Sequence, residues 1–137
     1  MKKGITLLII LLMGISFTSC EKKDDKEPEV NKEELIQAHI WKGNEVKTYV
    51  DDVESGTLSI TDYEFTFDAN KDYSITRNGT VEFSGTWQYI KGDPDVLKTT
   101  DSNNNVKEYS IDKITNDVFE ITIATDVNTK YKYFLVK

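Results

Sequence analysis

The chain of 137 residues carries a formal charge of −7, with 24 acidic residues against 17 lysines and arginines. That length suits one domain with its own core. The acidic balance argues against nucleic-acid binding, which depends on clustered Lys and Arg, and a single histidine and a single cysteine leave few ligands for zinc.

The first nineteen residues predict a secretory signal sequence. Lys2 and Lys3 precede an apolar run, residues 5–17, that contains no charge. This run is shorter than the roughly 20 residues that a membrane-spanning helix needs, and small residues follow it, as in cleaved signals. The sequence FTSC at residues 17–20 resembles the lipobox of bacterial lipoproteins, although that family usually has an aliphatic residue in place of Phe17.

The resemblance implies that Cys20 is the lipidation site. In such lipoproteins the cysteine is acylated, with chains such as palmitate, and becomes the first residue once the signal is removed. Cys20 is the only cysteine and cannot form an internal disulfide; a free thiol behind an ordinary signal is the alternative. Loss of Lys2 and Lys3 changes the formal charge from −7 to −9. Two or more acyl chains hold a protein stably, so we expect a membrane partner through an N-terminal lipid anchor.

Residues 20–30 are predicted to form a charged tether. After Cys20 the sequence reads EKKDDKEPEV, in which eight of ten residues are charged. Such a segment cannot bury enough apolar surface to fold. The tripeptide KDD at residues 23–25 resembles the signal that sends some Gram-negative lipoproteins to the outer face of the outer membrane. We therefore expect the protein at the outer membrane, with the cell surface favoured over the periplasmic face.

Residues 31–137 are predicted to form one β domain that begins with a short helix. Asn31 can cap this helix, which is expected to end near His39. Eight strand-like runs follow, bounded by turn residues such as Asn78-Gly79. The runs cover residues 40–50, 58–67, 72–77, 80–90, 95–101, 106–112, 117–124 and 129–137.

Short connections and alternating hydrophobicity predict an all-β, eight-stranded antiparallel up-and-down barrel. Turns this short make neighbouring strands antiparallel, and closure removes both sheet edges; a two-sheet β-sandwich is the alternative. In the fourth run Val81, Phe83, Gly85, Trp87 and Tyr89 share one face. In the first run Glu45 has the parity of Trp41. The acidic stretch DDVE at residues 51–54 is expected to form a solvated loop, and a surface for a cation-rich partner is the alternative.

Several short elements of the domain are similar to the lipocalin-like domain found in many bacterial lipoproteins. They are IWK at residues 40–42, YEFTFDANKDYSI at 63–75, GTW at 85–87 and a Tyr-rich last strand. The resemblance covers residues 33–137 and implies an architecture more than an activity. His39 stands where this family has a glycine, and the last strands lack the arginine with which lipocalins cover the barrel end.

Aromatic side chains dominate the expected inner faces of the strands. They would suit a pocket for a hydrophobic, aromatic or sugar ligand. The preferred interpretation is a filled core, because the interior of an eight-stranded barrel is just wide enough for its own side chains. Tyrosine hydroxyls near a barrel mouth would be wet or would face a ligand. The set comprises Trp41, Tyr63, Phe65, Phe67, Tyr73, Phe83, Trp87, Tyr89, Tyr109, Phe119, Tyr131 and Tyr133.

No motif predicts metal or catalytic chemistry. Residues 68–72 and 101–105 copy the opening of a calcium loop but lack the glycine and the glutamate that complete it, so Asx-rich turns are the preferred interpretation. The sole histidine, His39, is expected to be solvated or to cap rather than to act as a general base. A glycosidase-like carboxylate pair would have to draw on Glu45. We expect no catalytic residue, no metal and no cofactor.

The sequence as a whole predicts a membrane-anchored lipoprotein that is not an enzyme. Its lipocalin-like barrel is expected to bind a small apolar or glycan-derived molecule, through residues that the sequence does not assign. The alternative is an envelope interaction or accessory protein with a filled barrel and an envelope protein as its partner.

Overall fold

The computed structural model describes residues 29–137. The predicted signal sequence, the lipidation site Cys20 and most of the tether lie outside the described residues.

A short helix, α1 (Lys32–Gln37), precedes the strands and confirms the predicted N-terminal element. The Asn31 side chain accepts a hydrogen bond from the Glu34 backbone N–H at 3.4 Å, which caps the first turn as expected. Ile36 is the fully buried residue of the helix. Through this side chain the helix joins the core of the barrel.

Nine strands follow the helix, one more than the sequence predicts. They are β1 (Trp41–Val50), β2 (Val53–Ser59), β3 (Tyr63–Phe67), β4 (Asp72–Arg77), β5 (Thr80–Ile90), β6 (Val96–Asp101), β7 (Val106–Ile114), β8 (Val118–Ala124) and β9 (Thr129–Val136).

The strands form one antiparallel sheet that closes into a barrel. Its order is β2-β1-β3-β4-β5-β6-β7-β8-β9, and an additional β1–β9 pairing joins the two sides. Eight strands make the barrel, and β2 is an extra strand on β1. The predicted eight-stranded barrel is therefore confirmed, and the sandwich alternative is not the one adopted.

β1 has three partners, and this arrangement explains the extra strand. On one edge of β1, Trp41 and Lys42 pair with β3, and residues 45–50 pair with β2. The opposite edge of β1 pairs with β9. The predicted second run, 58–67, is therefore broken: Ile60 turns into the core, and the Tyr63 N–H donates to its carbonyl at 3.0 Å. Every residue of β2 is exposed. Because neither face of this strand is buried, its sequence shows no alternation of apolar and polar residues.

Two tight turns have the left-handed backbone that two-residue hairpins require. Asn78 and Gly79 have φ of 49° and 78°, which confirms the predicted hairpin. Asp51 and Asp52 have φ of 51° and 62° and link β1 to β2. The prediction of a loop over residues 51–54 is therefore wrong in its second half, because Val53 already belongs to a strand.

Two β-bulges correct the predicted faces of the strands. In β1, Asn44 is an additional residue: Gly43 pairs with Leu135, but Glu45 pairs with Phe134. Glu45 therefore leaves the inner face that Trp41 occupies, contrary to the predicted parity.

A second bulge, at Glu82 in β5, separates Val81 from Phe83. Ile75 pairs with Phe83, whereas the next residue of β4, Thr76, pairs with Val81. Val81 is 56 % exposed and does not share the inner face of Phe83, Gly85 and Trp87 as predicted.

One end of the barrel is filled by large side chains and closed by α1. Trp41 is fully buried, donates from Nε1 to the Ile36 carbonyl at 3.0 Å, and packs on Phe119 with ring centroids 5.3 Å apart. Leu97 and Leu135 are also fully buried in this core. We call this part of the barrel the plugged end.

Three ion pairs fasten the N-terminal segment to the plugged end. Glu29 pairs with Lys91, and Glu33 pairs with Lys71. The third pair joins Lys32 to Asp95, a residue only 8 % exposed, whose carboxylate also accepts the Gly92 N–H at 2.9 Å. The hydrogen bond from Lys32, followed by that from Gly92, lowers the pKa of Asp95 below its ordinary value of 3.8.

Gly43 lies where β1 passes so close to Ile60 that a side chain cannot fit. A Cβ at residue 43 would lie 2.2 Å from the Ile60 carbonyl oxygen, whereas a Cβ at Gly56 would meet nothing within 4 Å. We expect Gly43→Ala to lower the free energy of unfolding by about 2 kcal/mol or more, since the clash is with backbone. Gly56→Ala is the matched control and should be neutral. Equal urea midpoints for the two variants would contradict this account.

The Asp95 carboxylate should stabilise the fold in a pH-dependent way. Because its pKa is lower in the folded state than in the unfolded chain, its contribution is present above pH 3.8 and is lost as the pH falls through the lowered value. Asp95→Asn should cost about 1–2 kcal/mol at pH 7, moderated because the Lys32 side chain is 43 % exposed. The difference from wild type should narrow as the pH falls below 3.8 in urea unfolding. A constant difference would show that the ion pair is not the cause.

Candidate functional site

The barrel encloses a cavity of about 480 Å³ at the end opposite α1. The turns β1–β2, β4–β5, β6–β7 and β8–β9 surround this end. The Asp51 N–H donates to the Asn128 carbonyl at 2.9 Å and holds two of these turns together. We call this opening the mouth.

Aromatic rings form the floor of the cavity. Phe67 lies between the cavity and the plugged end, with its ring centroid 5.7 Å from that of Trp87 and 6.2 Å from that of Phe119. Tyr133 packs edge-on against Phe65 at 6.5 Å and against Tyr109 at 6.1 Å. The rings contact one another on the floor and leave the space above them open.

Aliphatic side chains make up much of the wall. Val46, Ile75, Leu97 and Ile121 line the cavity from four different strands. Polar side chains, among them Ser59, Thr99 and Asn105, also line the cavity. The wall therefore combines apolar surface with hydrogen-bonding groups.

Three phenol hydroxyls are the polar groups of the floor. Burial raises the pKa of Tyr109 well above the ordinary tyrosine range, and the neighbouring Tyr133 and Tyr73 raise it further. Burial also raises the pKa of Tyr133 and of Tyr73; at Tyr73 the nearby Thr99 acts in the opposite direction, and the charge of Asp101 raises the pKa further. All three phenols are therefore neutral near pH 7 and can donate hydrogen bonds.

The hydroxyls of Tyr109 and Tyr133 are open to the cavity. Neither makes a hydrogen bond to another group within residues 29–137. Yet no side-chain nitrogen or oxygen in this part of the chain is both fully buried and without a partner. These two hydroxyls are consequently accessible from the cavity, where water or a ligand can bind them.

The rim of the mouth combines apolar side chains with balanced charges. Leu58 and Phe83 are 65 % and 48 % exposed. Arg77 donates from Nε to Asp62 Oδ2 at 2.6 Å, and its guanidinium lies 5.3 Å from the Tyr63 ring centroid. The hydrogen bond from Arg77 lowers the pKa of Asp62.

The second acid of the rim, Asp101, serves its own turn. Its carboxylate accepts the backbone N–H groups of Asn103 and Asn105 and the Asn105 side-chain amide, at 2.8 to 2.9 Å. These bonds, the Asn105 side chain first, lower its pKa. Nearby, the Lys107 ammonium lies 5.6 Å from the centroid of the Phe83 ring.

The two calcium-loop-like segments are hairpin turns, as the sequence predicts. In the first, Asn70 donates to Asp72 Oδ2 at 2.8 Å and accepts the Asp72 N–H at 3.1 Å. The second is the Asp101 turn described above. They lie at opposite ends of the barrel, and residues 29–137 contain no cluster of three or more acidic, histidine or cysteine side chains suited to a metal.

The other predicted residues do not converge on a site. His39 packs edge-on against Trp41 with ring centroids 5.5 Å apart, at the plugged end. Glu45 points away from the interior because of the Asn44 bulge.

The aromatic set divides between core and cavity. The prediction of a filled interior is correct for Trp41, Trp87 and Phe119, which are buried. It is wrong for the aromatic residues that line the cavity near the mouth. Several lining residues were not predicted from the sequence. Among these, Arg77 had a usable signal, as the only arginine and the neighbour of a predicted hairpin turn. The others include Val46, Leu58, Asp62, Ile75, Leu97, Thr99 and Lys107.

Fold and cavity together define the class as a closed antiparallel β-barrel, plugged at one end and open at the other. Comparison with models of protein families, with curated proteins and with solved structures finds no match. Within residues 29–137, no helix has the length and apolar character to cross a membrane.

Proposed function

We propose that the protein is a membrane-anchored lipoprotein whose lipocalin-like barrel binds a small apolar or glycan-derived molecule. The observation that carries the proposal is the cavity of about 480 Å³. Small-molecule sites begin at roughly 300 Å³ and are lined mainly by apolar and aromatic groups with a few polar ones. The ring floor, the aliphatic wall and the free hydroxyls of Tyr109 and Tyr133 match that description.

The N-terminal segment would place a lipid anchor nearer to the plugged end than to the mouth. Glu29 pairs with Lys91 at the plugged end. An anchor at Cys20 would be nine residues away, which spans at most about 30 Å. We therefore include in the proposal a mouth that opens to the aqueous side.

The proposal assigns no catalytic step to the cavity. Asp62 and Asp101, the acids at the rim, have lowered pKa values and are engaged by Arg77 and by turn amides. A general acid needs a pKa near the working pH, so these carboxylates are poorly suited to that role.

An envelope interaction protein is the second candidate function. It is favoured by β2, an extra strand that pairs only with β1 and whose residues are all exposed. An unpaired edge offers backbone groups to which a partner protein can add a strand. A photo-cross-linker at Thr57 on this strand, compared with one at Gln88 on β5, tests this candidate in cells. A specific adduct from Thr57 alone would support it, and identical products from both positions would contradict it.

Filling the cavity should abolish binding of an apolar probe. Ile75 lines the cavity, whereas its neighbour Thr76 pairs with Val81 outside it. We expect Ile75→Trp to weaken binding of N-phenyl-1-naphthylamine at least tenfold, because the indole would occupy the space, and Thr76→Trp to leave it unchanged. Calorimetry on full-length protein in phosphatidylcholine nanodiscs, with empty nanodiscs subtracted, measures both. Equal binding by the two variants would place the probe outside the barrel.

Cys20→Ala should release the protein from the lipoprotein pathway. Without the thiol no acyl chain can be attached, so labelled palmitate should not enter the variant and its precursor should not be processed. Immunoblots of envelope fractions and palmitate labelling of both forms measure this, and protease treatment of intact cells distinguishes the surface from the periplasmic face. Unchanged labelling and processing would contradict the anchor.

A further inference from the structure

The polar groups of the cavity are of two kinds. Tyr109 and Tyr133 present neutral hydroxyls on the floor. The charged groups of the lining include Asp101, which is separated from Tyr73 only by Gly85 of β5. A ligand that fills the cavity therefore meets both phenols and charged side chains.

The rim charges are already balanced. Asp62 is paired with Arg77 at 2.6 Å. The Asp101 carboxylate is hydrogen-bonded within its own turn, chiefly by Asn105, and these bonds together with the nearby Lys107 lower the pKa of Asp101. An ionic ligand would compete with these contacts at the mouth and would lose hydration against the apolar wall, which is costly for a charge. The cavity therefore favours a neutral molecule.

The wall also disfavours a sugar-like ligand. Each buried hydroxyl without a partner costs about 1–3 kcal/mol, and a glycan carries several on every face. The wall residues Val46, Ile75, Leu97 and Ile121 offer none of them a hydrogen bond through their side chains. The polar lining residues Arg77 and Asp62 are bonded to each other, and Asn105 is bonded to Asp101. We therefore expect most of the ligand surface to be apolar.

We infer that the ligand is a neutral, largely apolar molecule with one hydrogen-bond acceptor, which the hydroxyls of Tyr109 and Tyr133 bind on the cavity floor. This inference rests on the proposed function and narrows it to one of its two ligand classes. The volume of about 480 Å³ equals that of roughly 16 water molecules. A fused-ring or short-chain ketone is of the right size and chemistry.

A pair of matched probes tests the inference. 2-Acetylnaphthalene carries one carbonyl acceptor, whereas 2-ethylnaphthalene has nearly the same shape and none. Their affinities are measured by calorimetry on the full-length protein in phosphatidylcholine nanodiscs, with empty nanodiscs subtracted. We expect the ketone to bind about tenfold more tightly than the hydrocarbon, which corresponds to about 1.4 kcal/mol. 2-Naphthoate and methyl glucoside should bind more weakly than the ketone.

Tyrosine variants test whether these hydroxyls bind the acceptor of the ligand. Tyr109→Phe and Tyr133→Phe, alone and together, keep the rings and remove the hydroxyls. The double variant should lose about tenfold in affinity for the ketone and nothing for the hydrocarbon. Tyr49→Phe is the matched control, because Tyr49 pairs with Lys130 and does not line the cavity, and it should change neither affinity. Unfolding midpoints confirm that each variant is folded.

The outcomes separate this inference from the proposed function. If both naphthalenes bind equally, or the double variant weakens both alike, the inference is overturned while the binding function stands. Tighter binding of 2-naphthoate or methyl glucoside than of the ketone overturns it in the same way. If no probe binds, the proposed function fails and the inference fails with it.

Discussion

The pairing of β1 with β9 is the interaction on which the rest of the structure depends. It joins the first and last strands of the barrel, and it turns one face of the sheet into an interior. An eight-stranded barrel has room for little more than its own side chains. The size of the inward-facing side chains therefore decides whether a cavity remains. Trp41 and Phe119 fill one end, whereas the side chains at the other end leave a cavity of about 480 Å³.

The barrel could be predicted from the sequence, because alternation and tight turns are local signals. Phe119 and Ile121 on β8, and the Asn78-Gly79 turn, behave as their patterns indicate. β2 could not be found, because a strand that buries neither face has no alternation to detect. A bulge such as the one at Asn44 inserts a single residue, and nothing in the local pattern distinguishes it from a regular strand.

The cavity was still harder to predict, because its size is the difference between the volume that the barrel encloses and the volume that the side chains fill. The aromatic residues were assigned to the inner faces mostly correctly. How many of them reach the centre depends on register, on the Glu82 bulge and on the helix that occupies the other end. Which lining groups are open phenols and which are paired charges depends on their neighbours across the barrel, and sequence alternation reports only which face a residue occupies.

A small molecule that enters by the mouth should reach the phenols on the floor of the cavity. Nuclear Overhauser contacts between 2-acetylnaphthalene and the isotope-labelled protein test this directly. We expect contacts with the ring protons of Tyr109 and Tyr133 and with the methyl groups of Ile75, all of which line the cavity. Contacts confined to Phe134 and Val81, which do not line it, would contradict binding inside the barrel.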